Sequence, residues 1–304
     1  MQVLRDRPRR FQFILGPRRV GKTTAMYQTA RSLLAHGIAP QKIWWLRLDH
    51  PLLMQVPFET LISHIRRVGK ATKDQPVFLF LDELAYAPHW DLWLKTLYDD
   101  KWPFRVIASS SSTEALRQGR FESGVGRWDE QYLAPYLFGE YLDLLEKPVP
   151  IPVQSNLAST IDACIHELPD LTGSAQLRRQ FILTGGFPEL LVSEGTIGPD
   201  EASRLLQSQR ILRTDAVERA VYKDIPQVFS VDNPMVLERV LYALAGQIAG
   251  VLSPNNLCQS FDSLTQPTFD RYLSYLERAF LVFTLTNYSG SEIQKQRRGR
   301  KLYF

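Results

Sequence analysis

The stretch Gly16-Pro17-Arg18-Arg19-Val20-Gly21-Lys22-Thr23 constrains this chain more than any other, because it matches GxxxxGK[ST] and carries the flanks that the motif requires. Phe11–Leu15 reads as a short apolar strand before it. Ala25, Met26, Tyr27, Ala30, Leu33 and Leu34 give helical apolar spacing after it. A glycine-bearing turn between strand and helix lets backbone N–H groups wrap a phosphate at the positive end of the helix. Lys22 supplies a charge for the β and γ phosphates, and the Thr23 hydroxyl is a magnesium ligand. The expected cofactors are therefore ATP and magnesium, held by Gly16, Pro17, Arg18, Arg19, Val20, Gly21, Lys22, Thr23 and Thr24.

Short apolar runs alternate with helical patterns from Phe11 to about Leu142: Ile43–Leu48, Val77–Leu81, Arg105–Ala108 and Gln131–Leu137 follow the first. That alternation predicts a parallel sheet covered by helices. Val77-Phe78-Leu79-Phe80-Leu81 has the continuous apolar character of a central strand and ends in Asp82-Glu83. At the carboxyl edge of such a sheet Asp82 can hold magnesium, and Glu83 is placed to polarise an attacking water. Because Ile43–Leu48 intervenes, the two motif strands need not be neighbours. After the next strand Ser109-Ser110-Ser111-Ser112 forms a polar tip, and Ser110 is the residue chosen to orient water or sense the γ phosphate.

With 44% hydrophobic residues, six Trp and sixteen Phe in 304 residues, the chain is long and apolar enough for two or three packed domains. A formal net charge of +4 tolerates a polyanion without demanding one. Cys164 and Cys258 are isolated from each other and form no CxxC pair, which predicts a reducing cytoplasmic setting and no thiolate zinc site. His36, His50, His64, His89 and His166 show no HExxH spacing. The basic start at Arg5–Arg10 precedes an apolar stretch too short for a signal peptide or a membrane span, so no membrane association is expected.

The run Lys147-Pro148-Val149-Pro150-Ile151-Pro152 suits neither a helix nor a central strand and reads as a linker. Residues 1–147 are thus assigned to the α/β core and 148–229 to the linker and a small helical domain turned by Gly185-Gly186. Residues 230–290 are assigned to two helices and a hairpin in winged-helix order. Residues 291–304 remain as a basic tail or the start of a truncated further domain.

Together, the phosphate-loop residues, Leu81-Asp82-Glu83-Leu84 with Trp90, Leu94 and Leu97-Tyr98-Asp99, and Gly126-Arg127 before a strand leading to Pro135 resemble a known group. Leu183-Thr184-Gly185-Gly186-Phe187-Pro188-Glu189 and Tyr272-Leu273-Ser274-Tyr275-Leu276-Glu277 match it as well. The group is the prokaryotic AAA+ ATPases that carry a winged helix after the core and commonly a further C-terminal domain. The resemblance implies ATP hydrolysis, a helical lid from about Leu157 and a winged helix from about Pro234 to Tyr288. It also implies an arginine finger at Arg127, serving a neighbouring subunit in a homo-oligomer. The alternative for Arg127 is a surface pair with Asp129 or Glu130. Phe187-Pro188-Glu189 departs from the group where some members carry a γ-phosphate-sensing arginine. Lys301-Leu302-Tyr303-Phe304 resembles the strand that opens the C-terminal domain.

In the winged-helix segment Ser253 and Thr268 are expected to cap two helices, the second burying Phe269, Tyr272, Leu273, Leu276 and Phe280. Its outward residues, Asp270, Arg271, Ser274, Tyr275, Glu277 and Arg278, are nearly neutral. The stronger positive charge lies at Lys295, Arg297, Arg298, Arg300 and Lys301. Double-stranded DNA and a protein partner are both compatible with such a module. Two function classes therefore stand: an ATP hydrolase driving conformational change, and a nucleotide-gated switch with little turnover.

Overall fold

The computed structural model describes residues 10–111, 126–146, 153–167, 175–192, 201–248, 250–261, 264–286 and 299–304. Five strands, β1 (Phe11–Leu15), β2 (Ile43–Arg47), β3 (Val77–Asp82), β4 (Phe104–Ser110) and β5 (Trp128–Tyr132), form one parallel sheet in the order β2-β3-β4-β1-β5. The alternation of side chains along a strand sends β3 residues to two cores. Val77, Leu79 and Leu81 pack with Phe11, Phe13 and Leu15 beneath helices Phe58–Val68 and Trp90–Asp99. Phe78 and Phe80 pack with Met26 and Leu33 of helix Lys22–Ala35. Every residue of β3 is buried, which is why its sequence is apolar without alternation.

The strand separating β1 from β3 is β4, whereas Ile43–Arg47 lies at the sheet edge. The two motif strands, which the sequence allowed to be apart, are not neighbours, but the intervening strand in sequence is not the intervening strand in space. β5 also begins earlier than its apolar residues suggested and stops at Tyr132. As an edge strand it is half-buried and then exposed along its length, so no buried run marks it.

The chain divides into two compact units, one of residues 1–133 with 217–304 and the other of residues 134–216. The second unit is helical: Phe138–Leu144, Leu157–Glu167, Ala175–Thr184, Pro188–Val192 and Glu201–Ile211. Gly185 and Gly186 turn the chain there with φ of 66° and 68°, and the Tyr136 N–H donates to the Gly186 carbonyl at 2.8 Å.

In the first unit the chain beyond residue 216 passes through a π-helical turn, Ala220–Asp224. Helices Pro234–Ala245, Pro254–Gln259 and Gln266–Arg278 follow, and then β6 (Phe283–Leu285) pairs antiparallel with β7 (Lys301–Tyr303). Lys301–Tyr303, which resembles a strand opening a further domain, here closes a hairpin. Helix Gln266–Arg278 is capped three residues earlier than expected, by Thr265, which accepts from the Thr268 N–H at 3.4 Å, with Pro267 accommodated in the first turn. Phe269, Tyr272, Leu273 and Leu276 face the core, joined by Ala279, while Phe280 has φ 59° and packs against the sheet's core instead. Among the described residues no helix is long and apolar enough to cross a membrane.

Candidate functional site

Gly16 leaves β1 beside Leu133, the residue that follows β5. A β-carbon on it would lie 2.0 Å from the Leu133 carbonyl oxygen, so only glycine permits this approach. Arg19 (φ 68°) and Gly21 (φ 92°) are left-handed, a backbone alternation that makes anion-binding nests. Gly21 caps helix Lys22–Ala35 with no side-chain hydrogen bond, leaving the first N–H groups for an anion.

Lys22 is buried, and its ammonium donates to the carbonyls of Gly16 at 2.9 Å and Pro17 at 2.8 Å. Burial pulls its pKa below the ordinary lysine value, against the attraction of Glu83, Asp82 and Asp224. Thr23, on the next residue, donates its hydroxyl to the Asp82 carboxylate at 3.0 and 3.2 Å. The carboxyl ends of β1 and β3 thus meet across β4, whose Ser109 donates to Asp82 at 2.5 Å.

Glu83 adopts φ 54°, ψ 56°, a left-handed conformation costing a side-chain-bearing residue on the order of 1–3 kcal/mol. Two serines hold it there. Its N–H donates to the Ser109 hydroxyl at 3.0 Å, and its carboxylate accepts from the Ser111 hydroxyl at 3.1 Å and the Ser111 N–H at 3.3 Å. Ser110, the sequence choice, is fully buried between them. Strand alternation turns its side chain to the face opposite Ser109 and Ser111. The signal for the latter two was the register of β4 against β3, which a run of four serines does not display.

Two residues near the loop, Asp224 and Lys223, had no role in the sequence reading. Arg18 makes a bidentate ion pair with Asp224, Nε and one terminal nitrogen each 2.5 Å from a carboxylate oxygen. Burial disfavours the Arg18 charge, but the hydrogen bonds and charge of Asp224, with Glu83 and Tyr86 beyond, hold its pKa above the ordinary arginine value. Lys223, beside Asp224, lies 5.6 Å over the Tyr86 ring.

Arg127 stands at the other end of the sheet. Its carbonyl accepts from the Phe11 N–H at the amino end of β1. The length of β1, roughly 15 Å, separates it from the phosphate loop of its own chain. Its guanidinium pairs with Asp99 at 2.8 and 3.0 Å, rather than with Asp129 or Glu130, and Asp99 is held below the usual carboxylate range by those hydrogen bonds.

Among the described residues no three His, Cys, Asp or Glu side chains converge as a metal cage. The Thr23 hydroxyl and Asp82 carboxylate instead offer two hard oxygen donors, the sparse protein set that magnesium accepts when water and phosphate complete its octahedron. The donor chemistry fits that ion.

Residues 8–142 match a family described as an AAA domain, and residues 175–304 match a domain of unknown function. Two uncharacterized proteins of Methanocaldococcus jannaschii are 24% and 25% identical over 93% and 96% of this chain. The chain spans 58% and 59% of their lengths. Among solved structures, the Aeropyrum pernix ORC2 protein, in ADPNP–ADP complexes, covers 96% of this chain and is itself covered over 83%, with a TM-score of 0.50 at 14% identity. At that identity the likeness is one of fold.

Proposed function

Since this chain belongs to the prokaryotic AAA+ P-loop family, with its AAA domain over residues 8–142, we propose that it binds ATP with magnesium at Gly16–Thr24 and hydrolyses it with Glu83. The observation carrying this reading is the contact of the Thr23 hydroxyl with the Asp82 carboxylate, beside a Glu83 strained into place by Ser109 and Ser111. The ORC2 protein, which shares the fold, is found in ADPNP–ADP complexes, in keeping with a nucleotide-binding role for this fold.

The loop N–H groups and helix terminus hold the β phosphate, and Lys22, released from its loop carbonyls, neutralises charge on the β and γ phosphates. Magnesium held by Thr23 and Asp82 would withdraw charge from the phosphate oxygens. Glu83 accepts a proton from a water as its oxygen bonds to the γ phosphorus and the bond to the β-phosphate oxygen breaks, leaving ADP and phosphate. A finger role for Arg127 requires a second copy of the chain and the opening of its pair with Asp99. Steady-state phosphate release from ATP, with nucleotide affinity measured alongside, tests the reading.

We further propose that the three helices and the β6–β7 hairpin act as a winged helix toward double-stranded DNA, chiefly through phosphate contacts. Of the six residues expected outward on helix Gln266–Arg278, only Asp270 and Arg271 are exposed. Tyr275 stacks on Phe229, Glu277 accepts from Thr284 and Arg278 lies over the Phe229 ring. That leaves little for base readout and favours the basic residues of the run 295–301, of which Arg300 and Lys301 are described and exposed. Lys295, Arg297 and Arg298 lie outside the described residues. A protein-contact surface is the competing use of this module, and sparse base readout favours it as well.

A further inference from the structure

We infer that Asp224 competes with the nucleotide phosphates for Arg18, so that this pair sets the affinity of the phosphate loop and links its occupancy to the segment ending at Asp224. The inference rests on the nucleotide reading above.

Arg18 lies inside the loop motif, two residues after Gly16 and four before Lys22, in the segment that a bound polyphosphate would meet. Its planar donor fork, suited to carboxylate or phosphate, is engaged along one edge by a carboxylate 206 residues away. Both side chains are largely withdrawn from solvent, at 18% and 9% exposure, so neither charge tolerates losing its partner. Lys223 over Tyr86 ties the same segment to the turn following Glu83, so one segment touches both loops of the site. That segment is π-helical at Ala220–Asp224, a rare winding that is frequent at functional sites.

A phosphate that takes Arg18 must displace Asp224, and Asp224 left close to the loop opposes the incoming negative charge. The two occupants therefore oppose each other: nucleotide loosens the hold on Ala220–Asp224, and that hold weakens nucleotide. Replacing Asp224 by Asn leaves Arg18 as an uncompensated cation until phosphate arrives. ATP should then bind more tightly to the variant while its nucleotide-free form loses stability.

The test compares the whole chain with its Asp224→Asn variant by titration with a fluorescent ATP analogue in magnesium, and by thermal unfolding with and without ATP. The inference predicts a Kd lower by about 5- to 150-fold, the usual span of such couplings. It also predicts an apo form that melts earlier and recovers most of the difference on ATP addition. A merely structural pair would lower the melting temperature and leave Kd unchanged or raised, which overturns the inference. Hydrogen exchange of the unaltered protein gives a second arm that needs no variant: ATP should speed exchange in residues 217–229, and slower or unchanged exchange there counts against competition. If the unaltered protein binds no ATP, the nucleotide reading fails with it; if it binds ATP and Asp224→Asn binds no tighter, the inference alone fails.

Discussion

The hydroxyl of Ser111 donates to the carboxylate of Glu83 at 3.1 Å, at the tip of the strand that separates the two motif strands. With the Ser109 hydroxyl accepting from the Glu83 N–H, it holds a left-handed residue in one orientation. Ser111→Ala should lower kcat by about tenfold and leave nucleotide Kd near the wild-type value, since preorganisation of a catalytic group affects the chemical step. Phosphate-release kinetics beside an equilibrium titration separate the two. A rise in kcat would mean that Ser111 restrains Glu83 instead of aiming it.

Gly16 should tolerate no side chain. The β-carbon of Gly16→Ala would have to push the Leu133 carbonyl, a backbone group joined to β1 by the Leu133 N–H donating to Leu15 at 2.7 Å. A loss of about 1–3 kcal/mol is expected from such overpacking. Chemical denaturation measures it, and an unchanged midpoint would show that the loop relaxes freely.

Much of this architecture is legible in the sequence, and the exceptions have physical reasons. The strand Val77–Asp82 is readable because burial on both faces forces every position to be apolar, and the loop because each motif residue has its own task. β5 is less so, because a half-exposed edge strand has no obligatory pattern. Ser109 and Ser111 are chemically identical to Ser110 and are distinguished only by pairing register. Asp224 carries no local mark at all; its role comes from meeting Arg18 across 206 residues.

The buried ammonium of Lys22 gives binding a pH signature. Its pKa is depressed by burial in the free protein, and phosphate favours the charged form. Between the depressed value and the usual 10.5 the free protein lacks a proton that the complex carries, so ATP binding takes up protons there and weakens as pH rises. Calorimetry at alkaline pH in two buffers of different ionisation enthalpy reads the uptake. No buffer dependence would place Lys22 outside the phosphate contact.

DNA affinity should come from the basic residues of the run 295–301. Changing Lys295, Arg297, Arg298, Arg300 and Lys301 to Ala should flatten the dependence of duplex affinity on salt, because each phosphate contact releases about one counterion. Arg271→Ala should change affinity only slightly. Titration at several salt concentrations decides it, and binding that survives the five changes but fails with Arg271→Ala would assign the helix instead. No duplex binding by the intact protein at low salt would favour the protein-contact use.

The central claim is that Glu83 activates water at a magnesium–ATP site built on Lys22, Thr23 and Asp82. Glu83→Gln keeps the shape and the hydrogen bonds from Ser111 while removing the base, so ATP affinity should be retained as steady-state hydrolysis falls by about 100-fold or more. Measuring Kd and turnover on that one variant tests the claim most directly. Retained binding with lost turnover is the predicted result, and turnover at the wild-type rate would contradict it.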